Sequence, residues 1–79
     1  MMKHKKMHPM RVQRFFKGLS LDELQFRTAI NQGRLSRIER GFAVAKDHEK
    51  ELIARALGVQ VKEIFHAETL RIDEIETEN

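Results

Sequence analysis

The chain has 79 residues, enough for one domain and too few for a second. It has no cysteine, which excludes a disulfide framework and a thiolate metal site. Ten Lys/Arg against three Asp/Glu in residues 1 to 45, and five against nine in residues 46 to 79, divide the net charge of +3 unevenly. A basic half is the electrostatic footprint of a polyanion binder, and an acidic half suits solubility or a protein partner.

Residues 1 to 9, MMKHKKMHP, are basic and lack a period, so they read as a flexible arm. His4 and His8 stand four apart between methionines, the spacing of a copper or nickel pair on a helical arm. The stronger reading is a plain mobile arm, and a basic arm can also touch phosphate or the minor groove. No metal or other cofactor is expected.

The folded domain is expected over residues 10 to 65. In a first helix ending at Lys17, Val12, Phe15 and Phe16 take one face at i, i+3, i+4 and predict its buried side, with Arg11, Arg14 and Lys17 on the other. Pro9 suits the first helical position and Gly18 the stop. Ser-Leu-Asp-Glu at 20 to 23 then forms a capping box, opening a helix that runs to about Arg27 and buries Leu21 and Leu24. Phe26 should lie on the outer side of that helix, as core packing or a protein contact.

Asn31 is a good cap for the next helix, residues 32 to 40, which buries Leu35 and Ile38 and stops at Gly41. Only Thr28, Ala29 and Ile30 separate the two helices, the spacing of a helix-turn-helix. Phe42 begins a loop. A fourth helix is predicted from about Asp47 to Leu57, burying Leu52, Ile53, Ala56 and Leu57, and a short fifth over residues 61 to 65 buries Val59, Ile64 and Phe65. His48 and His66 have no partner at ligand spacing and are expected in solvent. The fold class is therefore all-α, a compact bundle of about five short helices containing a helix-turn-helix. Residues 66 to 79 form an acidic tail, in which Leu70, Ile72 and Ile75 make either a dimer seam or part of a disordered end.

The helix over residues 32 to 40 carries the chemistry. Outward it presents Gln32, Gly33, Arg34, Ser36, Arg37 and Arg40, with no acid among them, while Glu39 falls beside the core. The major groove of DNA admits one helix and displays acceptors on guanine, which Arg can grip with two bonds, and a donor–acceptor pair on adenine, which Gln can match. An Arg-rich helix face is more often a solvated face. The three-residue turn, the two caps and the basic half favour the nucleic-acid reading here. No Ser/His/Asp order, Gly-rich phosphate loop or paired carboxylates point to catalysis, so the protein is not expected to be an enzyme.

The stretch LSLDELQFRTAINQGRLSRIERG, followed by ARALGVQVKEIF, resembles the lambda-repressor-like, Cro/C1-type (Xre family) helix-turn-helix domain. The resemblance implies a five-helix transcription regulator, a repressor, that binds double-stranded operator DNA as a homodimer, and the lack of cysteine fits a cytoplasmic setting. It implies base contacts from Gln32, Gly33, Arg34, Ser36 and Arg37, with Gln32 and Arg37 the principal readers, and phosphate contacts from Ser20, Asn31 and Arg40. Alternatives are an antitoxin that uses the same domain and grips a toxin with its tail, or a protein-interaction module that has lost DNA binding. Three positions depart from the family pattern. Ala29 stands where the family has Gly in the turn, so the turn either accepts positive φ at a cost on the order of 1 kcal/mol or changes shape. Gln25 stands where the family has Ala at the helix crossing, so it either turns outward or spreads the pair. Ala45 lacks a nearby Pro.

No apolar run reaches the roughly 18 residues of a membrane span. The N-terminus is too polar for a secretory leader.

Overall fold

The structure, a computed structural model, describes residues 7–65. Four helices are α1 (Pro9–Lys17), α2 (Leu21–Thr28), α3 (Gln32–Glu39) and α4 (Asp47–Leu57). A fifth, α5, occupies residues 61–65, and no strand is present among the described residues. The predicted all-α bundle is observed. Residues 1–6 of the predicted arm 1–9, and the whole predicted tail 66–79, with His4, His66, Leu70, Ile72 and Ile75, lie outside the described residues. No helix among the described residues is long and apolar enough to cross a membrane.

The core gathers one stripe from each helix: Met10, Leu24, Leu35, Ile38, Ile53, Ala54, Leu57, Ile64 and Phe65, closed by Ile30 and Ala45 from the connections. α2 packs against α3 and α4, and α1 against α4. Leu21, Leu52, Ala56 and Val59 border this core and are only partly buried. Burial of the apolar stripes stabilises the assembly by about 25 cal/mol for each Å² removed from water.

Local signals set the helix ends. Pro9 is in the first turn of α1, where its missing N–H removes no helical bond. His8 belongs to the same helix start and not to a loose arm: its Nδ1 accepts the Met10 N–H at 3.0 Å, and its ring meets that of Phe65 edge-on at 5.8 Å. The His4–His8 pair is not described, because His4 lies outside the described residues. No group of three or more His, Cys, Asp or Glu that could hold a metal occurs among the described residues.

The face of α1 is reversed from expectation. Met10 and Arg14, at i and i+4, point inward, whereas Val12, Phe15 and Phe16 are exposed. Arg14 is buried because its charge is met. Its Nε and Nη2 donate to the Glu39 carboxylate at 2.8 and 3.2 Å, and its Nη1 donates to the Leu19 carbonyl at 2.9 Å. A buried cation with three such partners is tolerated, and one without them is not. Glu39, expected beside the core, thus ties the end of α3 to α1.

Phe26 is exposed and makes no core contact, against the packing expectation. The buried stripe of α2 is Leu24 and Thr28, and a residue two positions from Leu24 lies about 200° round the helix. Phe42 is also exposed, with the Arg40 guanidinium 5.1 Å from its ring centre. His48 faces solvent.

Candidate functional site

The turn between α2 and α3 is built from short-range bonds. The Thr28 hydroxyl donates to the Leu24 carbonyl at 2.8 Å and accepts the Ile30 N–H at 3.1 Å. Ala29 takes the left-handed conformation, with φ 64° and ψ 18°. Of the two outcomes for this position, the turn therefore accepts positive φ. The penalty of a Cβ there is on the order of 1 kcal/mol.

Two side chains satisfy the first N–H groups of α3. Asn31 Oδ1 accepts from Gly33 at 2.7 Å, as its sequence position predicts. Gln25 Oε1 accepts from Gln32 at 2.6 Å. Gln25 therefore turns out of the helix crossing and caps the neighbouring helix. Ser20 caps α2 by accepting the Glu23 N–H at 3.1 Å, while the Glu23 carboxylate lies 3.9 Å from Arg27.

Gly33 has a local reason to lack a side chain. A Cβ there would stand 3.0 Å from Asn31 Oδ1 and 3.9 Å from Arg37 Nη1. The first contact is tight, so the end of the Asn31 side chain would have to give by a few tenths of an ångström, and the second places the Arg37 guanidinium over the start of α3. Asn31, Gln32, Gly33 and Arg37 thus form one cluster at the α3 N-terminus. Gln32 and Arg37 are exposed, Gly33 and Ser36 half-buried, and Arg40 is exposed at the other end beside Phe42.

Arg34 is placed differently from the other outward residues. Its Nε and Nη2 donate to the two Glu49 oxygens at 2.7 and 2.8 Å, and Nη2 also reaches the Val44 carbonyl at 3.3 Å. The pair raises the Arg34 pKa, chiefly through the hydrogen bond to Glu49. It holds the Glu49 carboxyl down at about 2, again chiefly through Arg34, against the opposing effect of burial; the Lys46 N–H adds a further bond at 2.7 Å. A guanidinium engaged in this way positions α3 on α4 and has few donors left for a ligand.

The exposed surface of α3 therefore carries amide, hydroxyl and guanidinium groups and no exposed carboxylate, because Glu39 is buried against Arg14. Sequence reasoning missed Gln25 and Glu49 as organisers of this surface. Glu49 had a legible signal, an acid three residues after a helix cap. The sequence marks Gln25 as turning outward or spreading the pair, but its capping role left no signal, since the bond spans seven residues across a turn. Compared with family models, curated proteins and solved structures, the chain matches none.

Proposed function

We propose that the chain is a sequence-specific DNA-binding transcriptional regulator, a cytoplasmic homodimeric repressor, that inserts α3 into the major groove. One observation carries the reading: α3 turns Gln32, Ser36 and Arg37 outward, its C-cap Arg40 is exposed beside them, and its only acid is hidden. Such a face suits base edges rich in acceptors, flanked by phosphates. In this scheme Gln32 and Arg37 read bases, Arg40 meets phosphate, and Ser20 and Asn31 act first as helix caps. Arg34 serves as a positioning residue held by Glu49.

The test is selection of duplexes from a random pool, followed by fluorescence anisotropy at low and near-physiological salt. A selected duplex is expected to bind roughly a thousandfold or more tighter than random sequence, with affinity falling steeply as salt rises. Arg37→Ala should cost roughly 1 to 3 kcal/mol on the selected duplex and leave random duplex nearly unchanged. Failure to enrich any sequence, or binding no better than to heparin, overturns the proposal.

A protein-interaction module is the second reading, favoured by Phe26, a residue 88% exposed on α2. Loss of a protein partner in Phe26→Ser, in a chain that enriches no duplex, would favour it.

A further inference from the structure

α1 carries an apolar surface that the rest of the described chain leaves open. Met7, Val12, Phe15 and Phe16 line a shallow groove with almost no polar wall, and Phe16 is 78% and Phe15 54% exposed. Contiguous apolar area of this kind in water favours an occupant. The groove has a cationic margin. The Arg11 and Arg14 guanidinium carbons lie 5.3 and 5.2 Å from the Phe15 ring centre, Lys17 ends the helix, and α1 contains no acid. The Arg14 charge is already met by Glu39. Arg11 differs: its Nε is buried and has no hydrogen-bond partner among the described residues. An unsatisfied buried donor on a cation costs more than a neutral one.

The chain beyond Phe65 has the complementary chemistry. Residues 66 to 79 interleave Leu70, Ile72 and Ile75 with Asp73, Glu74 and Glu76, and hold five acids and one Arg in all. The segment departs from Phe65, whose ring touches that of His8, next to Met7 at one end of the groove. Along α1 the distance from His8 to Phe16 is roughly 12 Å at 1.5 Å per residue. The five residues from Phe65 to Leu70 span up to about 16 Å when extended, so reach does not limit the contact.

We propose that residues 66 to 79 cover the Met7, Val12, Phe15 and Phe16 groove of their own chain, with Leu70, Ile72 and Ile75 against the rings and a carboxylate at Arg11. A second copy of α1 is the competing occupant. It would set Arg11 and Lys17 against their own counterparts with no acid on either helix, a like-charge arrangement that opposes association. The inference is independent of the nucleic-acid reading.

Because the chain has no cysteine, Thr77→Cys accepts a single nitroxide label in the full-length protein. The amide signals of Val12, Phe15 and Phe16 are expected to broaden beyond detection while that of Phe26, exposed on a different helix, stays visible. Serine at Leu70, Ile72 and Ile75 together should restore the lost signals while thermal unfolding stays cooperative. Equal broadening at Phe26, persistence in the triple variant, or broadening only between labelled and unlabelled copies mixed together overturns the proposal. The last result would assign the groove to the tail of another copy.

Discussion

The carboxamide oxygen of Gln25 accepts the backbone N–H of Gln32 at 2.6 Å, so α2 supplies a cap for α3 across the turn. Removing that acceptor in Gln25→Ala should cost about 0.5 to 1 kcal/mol, the low end of the range for caps, because the bond is exposed. Gln25→Glu keeps the acceptor and adds an anion at a helix N-terminus, worth about 0.3 to 1 kcal/mol. Thermal unfolding should therefore fall for the first variant and rise for the second. Duplex binding at low salt should weaken most for the second, which sets a negative charge beside the proposed groove-facing residues. If Gln25→Ala leaves the unfolding temperature unchanged, the cap contributes nothing to stability.

Ala29 holds φ 64° in the turn. Glycine adopts that conformation without strain, though it loses more freedom on folding, so Ala29→Gly should raise stability by roughly 0.5 to 1 kcal/mol. Ala29→Val, with a branched Cβ in the left-handed region, should lower it. Urea titration reads both, with an unchanged slope expected for the glycine variant. A less stable glycine variant would refute the strain.

Glu39 and Arg14 form a buried ion pair whose side chains are 4% and 10% exposed. Glu39→Gln leaves the guanidinium without its counter-charge and should cost about 3 kcal/mol or more. Replacing both partners, as in Arg14→Met with Glu39→Leu, should recover much of that loss. A double-mutant cycle by urea unfolding measures the coupling. Additive losses would show that the two side chains fold independently of each other.

Glu49 has an ordinary carboxyl value of 4.5 and is held at about 2 in the folded protein, first by the hydrogen bond from Arg34. A carboxyl whose folded pKa is depressed contributes stability above its unfolded value, and that contribution disappears as pH falls through the folded value. Wild type should therefore exceed Glu49→Gln by a constant margin above about pH 5, and the margin should close between there and about pH 2. At neutral pH the variant's melting temperature should be lower by roughly 4 to 8 °C, as for a loss near 1 kcal/mol in a domain of this size. A margin unchanged down to the lowest pH would mean that Arg34 does not hold the carboxylate.

What the sequence disclosed was local. Ser20 and Asn31 cap N–H groups two or three residues away, and Pro9, Gly18 and Gly58 mark helix ends, so the helix limits could be read from neighbours alone. What it concealed was set by distant partners. Periodicity placed Val12, Phe15 and Phe16 inward and Arg14 outward, yet Glu39, 25 residues away, draws Arg14 into the core and turns the rings out. Likewise Arg34 belongs to the outer arc of α3 by its position in the helix, but Glu49, 15 residues on, secures it to α4. The face left exposed, with Gln32, Ser36 and Arg37, was legible because its neighbours Leu35 and Ile38 fix the inner side.

α3 is gripped at three points along its length: Gln25 at its first residue, Glu49 through Arg34 near its middle, and Arg14 through Glu39 at its last. Each grip comes from a different helix, so the segment cannot pivot about any one of them without breaking another. A partner meeting its outer side encounters a surface already immobilised by folding, and encounter should demand little further ordering of the main chain. Slackening any grip should therefore speed departure of the partner more than it slows arrival.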